Sequence, residues 1–467
     1  MSIPALPVPA DSPYLVDASG FTGTAERVFT PANTGEVAAI LQEAAAAGIA
    51  VTISGAGTGV TGGRVPQGGW VLSMEKLNTI AIQKGKAVCG AGVTLQALQA
   101  ATASSKQFYA PDPTEWGASV GGTIATNASG SRSFKFGDTR RHVLAMTVVL
   151  ASGEVLHLRR GEKPPFELPL ITPPNTTKNT AGYYLRPGMD YLDLFIGAEG
   201  TLGVVTEAEL ALLPTPADLF TGVVFFGSDD EALAAVNVWR PVAGLRMLEY
   251  LDEASLGLLR PRFSEIPGEA SAALLIEQES GPNVEEDWIE RLEAAGALLD
   301  GSWFAMSAAD RERFRRFRHS VPEAVNDLVR RKGLTKMGSD FAVPIERNQE
   351  MLQVYRDTLD REFPGKYVVF GHIGDAHLHT NILPADKTEW ARAKALMVEF
   401  AKQAVEMGGT VSAEHGLGKR KRDLLPLQFS AAEIEAMKGV KRRLDPKAIL
   451  GRGTLFDVDV VAADAKM

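Results

Sequence analysis

The chain has 467 residues, 45% hydrophobic and 22% charged, with a formal net charge of -9. That length implies at least two domains, and the acidic balance excludes a nucleic-acid binder, which needs a basic face. One cysteine, Cys89, excludes both an intrachain disulfide and an iron–sulfur cluster held by four cysteines of the chain.

The opening MSIPALPVPADSPYL has no basic region and no long apolar core, so no signal peptide is expected. No run approaches the roughly 18 apolar residues of a membrane helix. The reading is a cytoplasmic protein, with peripheral contact to a membrane left open. Residues 34–48, TGEVAAILQEAAAAG, predict a helix capped by Thr34, with Glu36 in its first turn and Gly48 at its stop. A short strand, IAVTI, leads into the glycine stretch SGAGTGVTGG, and WVLSM is a second strand. KAVCGAG is a strand, TLQALQAATA a helix opened by Thr94, and HVLAMTVVLASGEVLHL a hairpin turning at Ser152-Gly153. Residues 161–180, rich in Pro, Asn and Thr, predict a long surface loop.

Beyond Pro214 and Pro216 the pattern changes. LFTGVVFF and AALLIEQE are strands, residues 229–239 and 284–295 are helices, and a charged helix runs around 308–331. KYVVFGHIG and AHLHTNIL are strands about a Gly374-Asp375 turn, and helices follow at 388–408 and 430–443. The basic run Lys419–Arg422 is read as a solvated face.

Gly57-x-Gly59-x-x-Gly62 has the letters of a nicotinamide-dinucleotide fingerprint. That fingerprint requires a helix after the glycines, with the pyrophosphate at its N-terminus. Here Pro66, Gly68 and Gly69 break any such helix, so the nicotinamide reading is rejected. A glycine loop between strands instead exposes backbone N–H groups in a concave array that binds phosphate without a helix; a glycine-rich hairpin with no ligand is the plain alternative. Two further small-residue stretches, 111–130 (PDPTEWGASVGGTIATNASG) and 196–207 (IGAEGTLGVVTE), favour a large flat ligand carrying a pyrophosphate.

These three stretches resemble the FAD-binding half of the vanillyl-alcohol-oxidase, PCMH-type, flavoproteins. GHIGDAHLHTNI and SAEHGLGKRK resemble the C-terminal half of the branch holding FAD-linked D-lactate and D-2-hydroxyglutarate dehydrogenases and the glycolate oxidase flavin subunit. The resemblance runs from about residue 30 to 456 and implies an α+β fold. A PCMH-type FAD-binding domain of two α+β subdomains would span 1–215. An α+β cap domain with an antiparallel sheet would span 216–410, and residues 411–467 would return to the FAD domain. It implies FAD held by Ser54, Gly55, Ala56, Gly57, Thr58, Gly59, Thr61 and Gly62, by Pro111, Gly121, Gly122, Thr123, Thr126, Asn127 and Gly130, and by Glu199, Gly200, Gly203, Val204 and Val205. Some relatives attach FAD through a histidine near the first loop; no histidine precedes His142, so non-covalent FAD is expected.

Four of the seven histidines fall in two short motifs. Two histidines and a carboxylate suit a divalent metal with positions left for substrate. Any one of these histidines alone fits a hydrogen-bonded core residue better. The resemblance assigns His372, His379 and Glu414 as ligands of zinc or manganese, His415 as the base, and Asn381 as a substrate contact; His377 is left as structural or as a partner just outside the ligand set. It points to Arg318 for the substrate carboxylate and to Lys336 for a distal one, a surface lysine being the equal alternative. Pro322 stands where the 2-hydroxyglutarate enzymes often have a hydroxyl residue, which favours a smaller acid such as lactate or glycolate. The closing AILGRGTLF lacks the Asn-Pro-Gly-Lys turn of relatives, with Arg452 as a substitute contact.

The implied reaction is FAD-dependent oxidation of a small D-2-hydroxy acid to the 2-oxo acid. The flavin subunit of a glycolate oxidase complex and a D-2-hydroxyglutarate dehydrogenase are the alternatives within this branch. Electrons would leave to a quinone, a cytochrome, an electron-transfer flavoprotein, a partner subunit or oxygen. A homodimer is compatible with all of this.

Overall fold

The computed structural model describes residues 5–331, 333 and 337–457. Strands Val51–Ser54 and Trp70–Ser73 lie side by side and parallel, and Arg27–Phe29 pairs parallel with the latter. Ala5–Pro7 adds an antiparallel edge, completing a four-stranded sheet. Helix Thr34–Ala47 covers it. Its Val37, Ile40, Leu41 and Ala44 recur at helical spacing and form one apolar core with Val51, Trp70 and Leu72. Asn33, not Thr34, caps this helix by accepting the Glu36 N–H, and Gly48 ends it in the left-handed conformation. Residues 55–69 join the two parallel strands without any helix, so the first glycine stretch is not a dinucleotide fingerprint.

A five-stranded antiparallel sheet follows, in the order Ile80–Gln83, Lys86–Gly90, Val204–Ala211, Val143–Val149, Val155–Arg159. Cys89 is buried on it and its thiol is pushed up to about 12 by burial, so it is a small hydrophobe rather than a nucleophile. The second glycine stretch is not a loop throughout. Residues Val120–Thr126 form a helix, capped by Ser119, whose Oγ accepts the Gly122 N–H.

The third sheet has seven strands, in the order Trp303–Phe304, Leu219–Phe226, Ala272–Glu279, Leu245–Asp252, Tyr367–His372, His377–Ile382, Met337–Gly338. Adjacent strands are antiparallel. Its central strands are buried on both faces, because alternate residues enter different cores. Val224, Phe226, Leu274 and Ile276 pack with Trp239 and Trp288 of helices Asp229–Trp239 and Val284–Ala294. Val223, Phe225, Ala273 and Leu275 pack with Phe314, Phe317 and Val321 of helix Ala308–Arg331. Strand Leu245–Asp252, which the sequence reading passed over, occupies the middle of this sheet.

From Thr410 the chain crosses back. Thr410 N–H donates to Ala342 O and Ala413 N–H to Asp340 O, both beside the third sheet. Further on, Val51 N–H donates to Ile449 O and Gly451 N–H to Val51 O, tying the C-terminal segment to the first sheet. Residues 412–418 therefore lie on the crossing from the third sheet back to the first.

Candidate active site

A cavity of about 340 Å³ opens between the glycine stretches. Of the residues expected to hold the cofactor, it is lined by Gly55, Ala56, Gly57, Thr58, Gly59 and Thr61, by Gly121, Gly122, Thr123, Thr126 and Gly130, and by Glu199, Gly200, Gly203, Val204 and Val205. Ile53, Met74, Ala91 and Phe195 supply apolar wall. Gly57 has φ +83°, a conformation that favours glycine, and lets the first loop turn around the cavity. The lining fits FAD: main chain of three segments encloses the space, with backbone of the small-residue stretches beside the apolar side chains Ile53, Met74 and Phe195.

Four expected contacts lie elsewhere. Ser54 is buried at its strand end, and its hydroxyl donates to Gly55 O. Gly62 packs against the Phe21 ring, and Pro111 is buried away from the cavity. Asn127 caps its helix and spends its amide on Asp138 and the Arg140 N–H. Composition alone cannot separate residues that line a glycine cradle from those that brace it. Ser119 and Arg64 line the cavity and were missed. Arg64 donates to Gly55 O and Val16 O, fastening the first loop.

Glu199 contributes to the cavity wall, but its carboxylate faces the returning segment, accepting the N–H groups of Leu417 and Gly418 at 2.9 and 2.8 Å. Gly418 closes this docking: a Cβ there would sit 2.2 Å from Thr61 O. Burial raises the Glu199 carboxyl to about 7. The sign follows: between about 4.5 and about 7 the folded chain holds a proton that the unfolded chain has lost, so stability falls as pH rises across that window. Denaturant titrations from pH 5 to 8 are expected to show wild type losing up to about 3 kcal/mol relative to Glu199→Gln, and parallel curves would refute it. The basic run 419–422 belongs to the same docking and is not a solvated face. Lys419 Nζ donates to Gly62 O and Gly63 O, and Lys421 Nζ to Asp340.

The returning segment delivers Glu414 and His415 to the mouth of the cavity, which both line. There they meet the hairpin of strands Tyr367–His372 and His377–Ile382. The short turn Ile373–Asp375 pairs His372 directly with His377, and His379 follows two residues on, so all three imidazoles share one face. His372 Nδ1 donates to Glu249 Oε1 at 2.7 Å, and His379 Nδ1 to Ser339 O at 3.0 Å. Both rings therefore turn Nε2 toward Glu414 Oε1, each at 3.3 Å, and His372 Nε2 is hydrogen-bonded to it. Three potential ligand atoms converge there; against burial, Glu249 raises His372, which favours a proton between it and Glu414 when no ion is bound. A group of this kind could hold a metal ion, with its histidines oriented by outer partners. The other Glu414 oxygen accepts from Ser129 Oγ at 2.9 Å and from Lys178 Nζ at 3.1 Å. Burial pushes the Glu414 carboxyl up, but Lys178 and then His372 hold it well below the usual carboxylate range. Against burial, Arg318 and His372 bring Glu249 down to about 2.

His415 stacks on His379 with ring centroids 5.5 Å apart and planes 18° apart. Its Nδ1 lies 3.5 Å from Asp340 Oδ1 and its Nε2 3.7 Å from Glu414 Oε1. Burial lowers it to about 4, so the ring is neutral and able to accept a proton. Arg318 lies close by, with Nε on Glu249 Oε2 at 2.8 Å, and so connects through Glu249 to His372. Asn381 is buried on the same strand face as His377 and His379. Arg452 turns toward Ala448 O and Gly48 O, away from the cavity. Lys336 lies outside the described residues.

Two members of this group were not foreseen. Glu249 sits on the unread strand Leu245–Asp252. Lys178, 3% exposed, lies near the end of the stretch expected to be a surface loop; Thr180, its last residue, is also buried, because the loop plunges inward to meet residues 412–416.

Comparison with known proteins follows the same lines. Residues 25–159 match the FAD binding domain family and residues 215–455 match the family of FAD linked oxidases, C-terminal domain. The glycolate oxidase subunit GlcD of Bacillus subtilis is 32% identical over 96% of this chain and 92% of its own. A D-lactate dehydrogenase of Anaerostipes hadrus is 32% identical over 91% of this chain and 88% of its own. A D-2-hydroxyglutarate dehydrogenase of Xanthomonas citri is 31% identical over the same shares, 91% and 88%. Among solved structures, alkyldihydroxyacetonephosphate synthase is similar in fold, with a TM-score of 0.69 at 16% identity over 92% of this chain and 76% of that one.

Proposed function

The chain belongs to the FAD-linked oxidases, with the PCMH-type FAD-binding fold, and from that premise we propose that this flavoenzyme oxidises a small D-2-hydroxy acid, of D-lactate size, to the 2-oxo acid. The observation that supports this most is the meeting of His372, His379, Glu414 and His415 at the mouth of the glycine-lined cavity. We assign residues 1–215 to holding the cofactor, 216–410 to covering it, and 411–467 to closing the junction.

When bound, non-covalently, FAD supplies a hydride acceptor at N5. A divalent ion, zinc or manganese, held by His372, His379 and Glu414, would make a bound hydroxyl more acidic. The chain's own residues do the rest. His415, neutral and beside Glu414, takes the hydroxyl proton on its ring nitrogen. Arg318 presents its terminal guanidinium nitrogens to the substrate carboxylate while Glu249 fixes its Nε. Asn381 orients the substrate from the hairpin face, and Lys336 is assigned to a distal carboxylate where one is present. Pro322 lies one turn beyond Arg318 within helix Ala308–Arg331 and offers no hydroxyl there, which supports the smaller acid.

A second reading, the flavin subunit of a glycolate oxidase complex, is supported by the likeness to the Bacillus subtilis GlcD subunit. Electrons would pass to a quinone, a cytochrome, an electron-transfer flavoprotein or a partner subunit. No helix among the described residues is long and apolar enough to cross a membrane.

The test is the flavin spectrum of the purified protein without oxygen, as D-lactate, glycolate and D-2-hydroxyglutarate are added in turn with L-isomers as controls. Bleaching by D-lactate, lost with a chelator and restored by zinc or manganese, is expected. A flavin left oxidised by all three acids refutes the substrate class. Reduction by glycolate alone favours the second reading.

A further inference from the structure

His377 was set aside as structural, yet its surroundings give it no structural employment. It is fully buried, and among the described residues neither ring nitrogen makes an aligned hydrogen bond. Leaving two polar atoms of one buried ring unpaired is unfavourable and rare in native interiors. Asp340 Oδ1 lies 3.3 Å from Nε2, an ion-pair contact that does not have the alignment of a hydrogen bond. Asp340 already has four other donors, three of them on Oδ2. It accepts from Ser412 Oγ, Lys421 Nζ and the backbone N–H groups of Glu414 and His415, so it anchors the returning segment.

The ring instead faces the ion site. His377 pairs across the hairpin with His372 and shares a strand face with His379. The ring centroids lie 5.4 and 4.4 Å away respectively. One ligand atom from each of His372, His377, His379 and Glu414 lies within 4.8 Å of the other three. Donors at about 2.0–2.2 Å from one ion are at most about 4.4 Å apart, so small adjustments gather all four on a single ion.

We propose that His377 is a fourth protein donor, making the ion site three imidazoles and one carboxylate rather than two and one. This rests on the metal reading given above and extends it. Such a donor set suits zinc, manganese, iron or cobalt. With four protein donors, only an ion that takes more than four ligands keeps a place for substrate oxygen.

The test is zinc K-edge X-ray absorption on the FAD-loaded protein, stripped with chelator and refilled with one equivalent of zinc. Imidazole scattering counts three histidines in wild type and two in His377→Gln, while chelator competition shows zinc binding weakened at least about 10-fold in the variant. His379→Gln calibrates the loss of one imidazole, and FAD content reports folding. Two imidazoles in wild type overturn the proposal even if His377→Gln fails to fold, and so does an unchanged count or affinity in a folded variant. Failure of wild type to hold zinc, manganese or cobalt at all overturns the metal reading itself, and this proposal with it.

Discussion

His415→Asn is expected to retain FAD and to lose about 10²- to 10⁴-fold in the rate of flavin reduction by D-lactate, the usual contribution of a positioned base. Asparagine keeps the backbone N–H that donates to Asp340 Oδ2 at 3.1 Å, so the returning segment stays docked. The Glu199 bonds to Leu417 and Gly418 hold that segment independently of residue 415. What goes is the one ring in the group that lines the cavity and is held neutral by burial. His379, stacked behind it, is no substitute, because its Nδ1 is committed to Ser339 O and its Nε2 faces Glu414. Rapid mixing of the variant with D-lactate without oxygen measures the rate directly, and reduction at the parent rate would remove His415 from the chemistry. Unchanged zinc affinity in the same variant would separate the base from the ligands.

How much of this was legible in the residues follows from which interactions are local. The hairpin histidines were readable because a short turn fixes cross-strand register and alternation fixes the shared face. Even so, the seven-residue spacing of His372 and His379 hid the closer partner, His377. Glu249 was missed because Leu245–Asp252 (LRMLEYLD) carries Arg246, Glu249 and Asp252 at every third position, so neither alternation nor an apolar run marks it as a strand, although it is buried nearly throughout. Lys178 was missed because proline and asparagine signal a loop but not where the loop goes. Helix Val120–Thr126 was missed because Gly121 and Gly122 argue against helix locally. There, tertiary demand overrides propensity: a Cβ on Gly121 would sit 2.8 Å from Ala91 Cβ. Helix Ala308–Arg331 was plain from its charge pattern, but only the fold shows that Arg318 reaches Glu249 and through it His372.

Glu414→Gln should move function and stability in opposite directions. In wild type without an ion, Glu414 Oε1 faces two Nε2 atoms at 3.3 Å, which can bond it only where an imidazole takes up a proton, as His372 does. A divalent cation satisfies all three atoms, so binding zinc should raise the unfolding free energy, by about 2.7 kcal/mol at a hundredfold excess over Kd. Glutamine has the same length but carries no charge, and its amide N–H groups can donate to the two Nε2 atoms of neutral rings while its oxygen still accepts from Ser129 and Lys178. The metal-free variant is therefore expected to be at least as stable as metal-free wild type, although a charge next to Lys178 has been removed. The gain from zinc should vanish, zinc affinity should fall roughly 100-fold or more, and reduction by D-lactate should be lost with FAD still bound. Thermal unfolding with chelator and with zinc, in both proteins, reads these signs together. A variant that zinc stabilises as much as wild type would show that Glu414 is no ligand and that its carboxylate serves only to neutralise Lys178. A variant much less stable in chelator would show that the buried charge pair with Lys178, not the converging ligand atoms, dominates the energetics of the site.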